Sequence, residues 1–170
     1  DMSKIESGKI DLMAEEVFLP DLIEEVMEVF RPLIAEKHQQ LQVNADRVHH
    51  EKVITDGGRL QQILINLLSN AVKYTPEGGI LSFRIQETPS FAKGKGQFTF
   101  VIADTGIGIP EEFIPHLFEP FSRAEEAKIR DEQGTGLGLA ITQEIVTRLG
   151  GTIQAVWQEG EFQIQIQFSV

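Results

Sequence analysis

Two asparagines and a lysine recur at helical spacing near the middle of the chain. Asn66, Asn70 and Lys73 fall on one side of a helix, and Arg59 and Gln62 extend that side. A carboxamide offers an oxygen suited to Mg²⁺ and an NH₂ group that can donate to phosphate, while lysine supplies a positive charge. These residue types point to phosphate chemistry. A solvated helix face is the competing interpretation, but asparagine is a poor helix former, so two of them in mid-helix need a reason beyond solubility.

Two glycine-rich segments follow this helix. Asp104 opens the first, Asp-Thr-Gly-Ile-Gly, directly after an apolar strand, and its carboxylate can accept a hydrogen bond from an exocyclic amine, which would select adenine over guanine. Residues 134–138, Gly-Thr-Gly-Leu-Gly, lead into a predicted helix whose free N–H groups and dipole favour an anion such as a triphosphate. This segment is neither a P-loop nor a Rossmann fingerprint, because its spacing and flanking residues differ from both.

Composition restricts the class of protein. A length of 170 residues fits one domain, and the absence of cysteine excludes disulfides, thiolate zinc sites and cysteine nucleophiles. The formal charge of −11 disfavours nucleic acid and anionic lipid, so local groups and Mg²⁺ must hold a nucleotide. The absence of cysteine also fits a reducing compartment, so we expect a cytoplasmic chain, and the apolar runs are too short to span a bilayer. Its abrupt opening suggests a piece of a longer protein, which could be anchored in the inner membrane.

Three helices must position these residues. Residues 21–37 form an amphipathic helix with an acidic outer face and a kink or irregularity at Pro32. Residues 58–74 carry the most regular stripe in the chain, and residues 135–149 form another amphipathic helix after the second glycine segment. The first two stripes consist of Leu22, Ile23, Val26, Val29, Phe30, Leu33 and Ile34, and of Leu60, Ile63, Leu64, Leu67, Leu68, Ala71 and Val72.

The remaining predicted elements are short strands. We expect residues 80–87 and 97–103 to pair antiparallel, and residues 152–157 and 162–168 to form a closing hairpin. Further strands are predicted at residues 15–19, ending at Pro20, and at 41–45 and 52–55 on either side of a polar turn.

A charged stretch without convincing periodicity, residues 122–133, separates the two glycine segments. A short helix from Pro110 precedes it, and Phe118 and Phe121 stand at its entry. These phenylalanines suit either a small packing cluster or an anchor for a lid over nucleotide. In the lid, Arg123 would reach the terminal phosphate, with Lys128 or Arg130 as the alternatives.

The remaining candidate side chains are ambiguous. Tyr74 ends the polar-striped helix and suits either packing on a base or ribose or burial in the core. The four histidines lack ligand spacing and nearby carboxylate partners, so we interpret them as structural or solvated.

The motifs together, in order and spacing, resemble the N, G1, F and G2 boxes of sensor histidine kinases. The resemblance covers roughly residues 15–153 and implies the Bergerat ATP-binding fold, an α/β two-layer sandwich whose mixed, mostly antiparallel sheet is packed on one face by helices. Residues 1–10 resemble the end of the dimerisation and phosphoacceptor helix, which leaves residues 11–170 as the catalytic ATP-binding domain. The boxes are Asn66-Leu-Leu-Ser-Asn-Ala-Val-Lys-Tyr74, Asp104-Thr-Gly-Ile-Gly108, Phe118-Glu-Pro-Phe121 and Gly134-Thr-Gly-Leu-Gly-Leu139.

The resemblance also implies roles. Asn70, with Asn66, would bind Mg²⁺, and Asn66 and Lys73 would contact ATP phosphates or the metal. Asp104 would bind the adenine amine. The base pocket would be shaped by Gly106, Gly108 and Ile109, and the phosphates would be held by Gly134, Thr135, Gly136, Leu137, Gly138 and Leu139.

A discriminating detail lies at Asn66. In related gyrase-type and heat-shock chaperone ATPases, a water-activating glutamate occupies the position four before the metal-binding asparagine, and an amide cannot accept that proton. The resemblance therefore implies delivery of the γ-phosphoryl group to a histidine on a dimerisation domain, and onward to a response regulator receiver domain. A non-catalytic ATP-sensing module and a hydrolysing ATPase are the alternatives.

The chain departs from the family pattern in two places. The acceptor-histidine motif is absent, so the fragment alone cannot complete autophosphorylation; we expect it to be a monomer and its parent a homodimer. The family's closing glycine motif is replaced by residues 158–162, Gln-Glu-Gly-Glu-Phe, which predicts a shortened hairpin turn with little effect on nucleotide binding.

Overall fold

The computed structural model describes residues 13–89, 96–105, 138–158 and 161–169. The helix tail expected in residues 1–10, the helix from Pro110 and the segment 118–133 lie outside these ranges. Every strand and helix predicted inside them is present. In chain order, the elements are β1 (Glu15–Phe18), α1 (Leu19–Glu36), β2 (Gln40–Arg47), β3 (Lys52–Thr55), α2 (Gly57–Tyr74), β4 (Ile80–Pro89), β5 (Gly96–Asp104), α3 (Gly138–Arg148), β6 (Thr152–Gln158) and β7 (Glu161–Ser169).

The main sheet has five strands in the order β2-β4-β5-β7-β6. Only β2 and β4 run parallel in it; the other neighbours are antiparallel, which confirms the predicted β4–β5 pairing and the β6–β7 hairpin. Gln158 lies opposite Glu161, so only two residues connect that hairpin, as expected. Although β2 and β3 are adjacent in sequence, they join different sheets, because β3 pairs antiparallel with β1 in a separate two-stranded ribbon.

The core lies between the main sheet and the helices. Phe100 packs edge to face on Phe83 and on Phe168, with ring centroids 6.3 and 6.1 Å apart. Alternate residues of the sheet strands include many glutamines, such as Gln154 on β6 and Gln165 on β7, which hydrogen bond at 2.8 Å. The sheet therefore has one apolar face under the helices and one polar face, as the family fold implies. No helix in the described ranges is long and apolar enough to cross a membrane.

Helix α1 differs from the prediction at its start and in two residues of its apolar stripe. It begins at Leu19, two residues earlier than expected, because Pro20 fits the first turn, where its missing N–H costs no helical hydrogen bond. Pro32 lies inside the helix without ending it. Val29 and Leu33 are 49% and 46% exposed, since they lie at the edge of the stripe, while Met27 is buried.

The histidine prediction was partly wrong. His38, His49 and His50 are exposed as expected, but two of them pair with carboxylates far away in the sequence. His38 Nδ1 lies 3.0 Å from Glu77 Oε2, and His50 Nδ1 lies 2.5 Å from Glu87 Oε2. These partners are 39 and 37 residues away, so local sequence patterns could not identify them.

Glu87 anchors the connection between β2 and β3 to the edge of β4. Its Oε1 accepts the backbone N–H groups of His49 and His50, each at 2.7 Å, and its side chain is only 6% exposed. Burial raises the pKa of the Glu87 carboxyl, but the hydrogen bonds from the His50 imidazole and the two backbone N–H groups outweigh burial and hold the pKa below 4.5.

We expect Glu87→Gln to lower the free energy of unfolding by about 1 kcal/mol at neutral pH, since an amide is a weaker acceptor for these donors. Because the folded-state pKa is depressed, the stabilisation is complete above the unfolded pKa near 4.5 and is lost as pH falls through the folded value. Urea denaturation at about pH 7, 5, 4 and 3 should therefore show the stabilities of the two proteins converging in acid.

Glu77→Gln is the matched control, because Glu77 also faces a histidine but is 71% exposed. A difference between parent and Glu87→Gln that persists unchanged at low pH would contradict this account of the Glu87 carboxylate.

Candidate functional site

Helix α2 presents the predicted polar stripe because its other side is buried. All seven apolar residues of its stripe are buried, as predicted, and they join the core beneath the helix. Asn66 and Asn70 are half-buried on the opposite side, while Lys73 is exposed in the last turn. Arg59 and Gln62 extend the same side and are linked by a hydrogen bond from Nη1 to Oε1 of 3.0 Å. The structure thus places all five polar residues along one helix face.

The N-terminus of α2 is capped and closely packed. The Asp56 carboxylate accepts the backbone N–H of Arg59 through Oδ1 at 3.0 Å, which satisfies one of the free donors of the first turn. Gly57 packs against β1 so tightly that an added Cβ would lie 2.9 Å from Glu15 Oε1 and 3.0 Å from Val17 Cγ2. A larger residue at position 57 would require these two side chains to shift.

The C-terminus of α2 is held by two side chains that the sequence analysis missed. Lys37 Nζ donates to the backbone carbonyls of Val72 and Thr75, each at 2.9 Å, and to that of Lys73 at 3.3 Å. Gln39 Nε2 donates to the Val72 and Thr75 carbonyls at 3.1 and 2.7 Å. A positive charge at this end also complements the helix dipole. Nothing in the local sequence of residues 37–39 indicates this contact, which joins segments more than 30 residues apart.

Helix α3 lies beside the polar stripe. Asn66 Nδ2 donates to Thr142 Oγ1 at 3.2 Å, and Thr142 is fully buried. Because α3 begins at Gly138, at the end of the second glycine segment, this contact ties the predicted metal-binding helix to the helix that follows that segment. Leu139, in the first turn of α3, is half-buried against the core. Thr142 was not among the predicted site residues, since its side chain looks like an ordinary helix residue.

Asp104 lies at the end of β5, the central strand of the main sheet. It is 8% exposed and stands opposite Leu81 on β4 and Phe162 on β7. The next residue, Thr105, continues toward β4: its N–H donates to the Ile80 carbonyl, and its Oγ1 accepts the Ile80 N–H, both at 3.2 Å. The chain is therefore fixed at the point where the first glycine segment begins.

The other predicted site residues are not tested by this geometry. The Tyr74 side chain lies outside the described part of the structure, as do the lid residue and most of the two glycine segments. These residues are Gly106, Gly108, Ile109, Arg123, Gly134, Thr135, Gly136 and Leu137. Among the described residues, no group of three or more histidine, cysteine, aspartate or glutamate side chains could hold a metal.

Curated relatives of this chain are sensor kinases. It is 36% identical over 170 residues to the autoinducer 2 sensor kinase/phosphatase LuxQ of Vibrio cholerae, covering 98% of this chain and 19% of that protein. It is 39% identical over 153 residues to the signal transduction histidine-protein kinase BarA of Escherichia coli, covering 90% of this chain and 16% of that protein. The chain thus spans less than a fifth of the length of these relatives.

Solved structures share its fold. The catalytic domain of the histidine kinase ThkA superposes with a TM-score of 0.75 at 28% identity, covering 92% of this chain and 95% of that one. Full-length ShkA in complex with AMPPNP superposes with a TM-score of 0.78 at 28% identity, covering 98% of this chain and 33% of that one. The profile of the histidine kinase-, DNA gyrase B- and HSP90-like ATPases matches residues 55–169. The chain belongs to this ATPase family, as an ATP-binding catalytic domain of the histidine kinase type.

Proposed function

We propose that this chain binds Mg·ATP against the polar face of α2 and transfers the γ-phosphoryl group to a histidine supplied by another segment of its parent protein. The observation that carries the proposal is the placement of Asn66, Asn70 and Lys73 on one face of a helix held at both ends. The structure of full-length ShkA in complex with AMPPNP supports a nucleotide ligand for this fold.

Each side chain has a proposed role. Asn70 offers its amide oxygen to Mg²⁺, with Asn66 as a second ligand, and Lys73 neutralises phosphate charge. When bound, Mg²⁺ would neutralise charge on the phosphates during transfer. With a chain charge of −11, the approach of a polyanion depends on these local groups rather than on a general field. Asp104 accepts the adenine amine, and Tyr74 and Arg123 complete the nucleotide contacts.

The position of Asn66 favours phosphoryl transfer over hydrolysis. Its amide NH₂ group already donates to Thr142 Oγ1, and an amide has no basic site that would take a proton from water. The residues on α2 can therefore position and neutralise the phosphates without activating water beside them.

The longer protein would supply the remaining parts. We propose that residues 1–10 end a dimerisation and phosphoacceptor helix, that residues 11–170 form the catalytic domain, and that the parent is a homodimer. A response regulator receiver domain would accept the phosphoryl group from the histidine. We propose a cytoplasmic location for the fragment, whether or not the parent is anchored in the inner membrane.

Calorimetric titration with AMPPNP and Mg²⁺ tests the nucleotide site. We expect saturable binding by the parent chain and a loss of about tenfold or more in affinity for Asn70→Ala, because one metal ligand is removed. Gln61→Ala is the matched control: Gln61 carries the same amide on the same helix but lies outside the polar stripe, hydrogen bonded to Glu25. Equal losses in both variants, or no binding by the parent, would reject the proposed site.

Radiolabelled ATP tests the reaction. With a separately prepared dimerisation helix pair carrying an acceptor histidine, we expect label on that histidine, and without it we expect no steady release of phosphate, because Asn66 cannot act as a base. Phosphate release matching nucleotide consumption would favour a hydrolysing ATPase instead. Binding without transfer to the helix pair would favour an ATP-sensing module.

Thr142→Val tests whether α3 holds Asn66 in place. The substitution preserves a β-branched side chain but removes the hydroxyl that accepts the Asn66 amide, so we expect a loss of about 1 kcal/mol in the free energy of unfolding. Thr142→Ser should retain most of the stability. Urea denaturation measures the effect, with Thr147→Val as the control, since Thr147 is exposed on the same helix. Equal stability of Thr142→Val and Thr147→Val would contradict this role.

A further inference from the structure

The Asp56 carboxylate serves two partners from distant parts of the chain. Oδ1 accepts the Arg59 N–H at 3.0 Å as the N-cap of α2, and Oδ2 accepts the backbone N–H of Met13 at 2.8 Å. Met13 is the first residue that the structure describes, 43 residues before Asp56. Asp56 is only 9% exposed, and both hydrogen bonds are partly buried.

Further contacts surround this connection. Glu15, two residues after Met13, is paired with Thr55, the residue before Asp56, in the antiparallel β1–β3 ribbon. On the other side of Asp56, Gly57 packs against β1, and a Cβ added to it would lie 2.9 Å from Glu15 Oε1 and 3.0 Å from Val17 Cγ2. The residues that precede β1, the end of β3 and the start of α2 are therefore in direct contact, so a displacement of the chain before β1 can be transmitted to α2.

We propose that Asp56 is a positioning residue that couples the segment entering at Met13 to helix α2, and through α2 to Asn66 and Asn70. The inference rests on the proposed nucleotide site and adds a route by which the preceding part of the parent protein could alter that site. Coupling of this kind is reciprocal: if the entering segment biases nucleotide binding, then nucleotide must stabilise the Met13–Asp56 contact.

The carboxylate is suited to this double role. Serine, threonine or asparagine can cap a helix as well as aspartate does, but each offers one side-chain oxygen acceptor. In asparagine an NH₂ group would replace Oδ2, so two hydrogen-bond donors, this group and the Met13 N–H, would face each other. Asp56→Asn therefore keeps the cap and removes the link to Met13.

Two substitutions on opposite sides of the contact test the proposal in the full 170-residue chain. Asp56→Asn removes the acceptor, and Met13→Pro removes the donor without changing α2. Asp46→Asn, an equal charge change at an exposed position, and Met13→Ala, which keeps the backbone N–H, are the matched controls. Using both sides keeps the test informative if one variant fails to fold.

Residue-resolved hydrogen exchange and calorimetry with AMPPNP and Mg²⁺ are the measurements. We expect nucleotide to slow exchange of the Met13 N–H in the parent chain but not in Asp56→Asn. We also expect both contact variants to bind nucleotide about fivefold or more weakly than their controls, which is the lower end of typical coupling between sites. Unchanged affinity in both variants, with Met13 exchange insensitive to nucleotide, would overturn the inference while leaving the nucleotide site intact.

A measurement without nucleotide separates this inference from the proposed function. The Arg59 and Leu60 N–H groups donate to the Asp56 side chain and carbonyl, so they report on the start of α2. Faster exchange of these two groups in Met13→Pro than in Met13→Ala would support the coupling even if the chain bound no nucleotide. Identical exchange in the two variants would overturn it.

Discussion

Complete burial of the apolar stripe of α2 is the constraint on which the candidate site depends. Each fully buried leucine or isoleucine contributes roughly 1.5–3 kcal/mol, so a stripe that includes five such side chains outweighs any one polar contact at about 1 kcal/mol. A slip of one residue would rotate the helix by about 100° and expose part of the stripe. The core therefore fixes which way Asn66, Asn70 and Lys73 face.

Apolar packing is not directional, so it restrains rotation of the helix better than it restrains its ends. The ends are fixed by hydrogen bonds instead. Asp56 satisfies the first turn, while Lys37 and Gln39 converge on the last carbonyls. Helix ends otherwise lose their hydrogen bonds to water and fray. Because Lys73 lies in the last turn, fraying there would displace it. The two capping arrangements thus preserve the geometry of the polar stripe along its whole length.

The contact between Asn66 and Thr142 shows how separate sequence motifs become one site. A phosphoryl-transfer site works mainly by positioning and charge neutralisation, so its parts must keep fixed separations. Here α2 and α3 both pack on the sheet, and a hydrogen bond joins them at a predicted site residue. Asp104 is fixed independently at the end of the central strand by its pairing with β4 and β7. The sheet serves as the common frame for these elements.

The sequence by itself determined the local elements and the polar face of α2. Periodicity specified α2 to within one residue, and alternation specified the β4–β5 pair, because each pattern repeats inside one segment. The motif order specified the family, which the comparisons confirm. Only the tertiary structure decided that β2 and β3 join different sheets, that Val29 and Leu33 stay exposed, and that Glu87 binds the turn at His50.

The same division applies to the residues that support the site. Lys37, Gln39 and Thr142 act through one to three hydrogen bonds each, across 33 to 76 residues of chain, and Asp56 contacts Met13 across 43. The sequence around a single lysine or threonine does not indicate which distant group its side chain contacts. Burial patterns repeat and can be read along the chain, whereas a lone hydrogen bond between distant segments exists only after the fold has brought its donor and acceptor together.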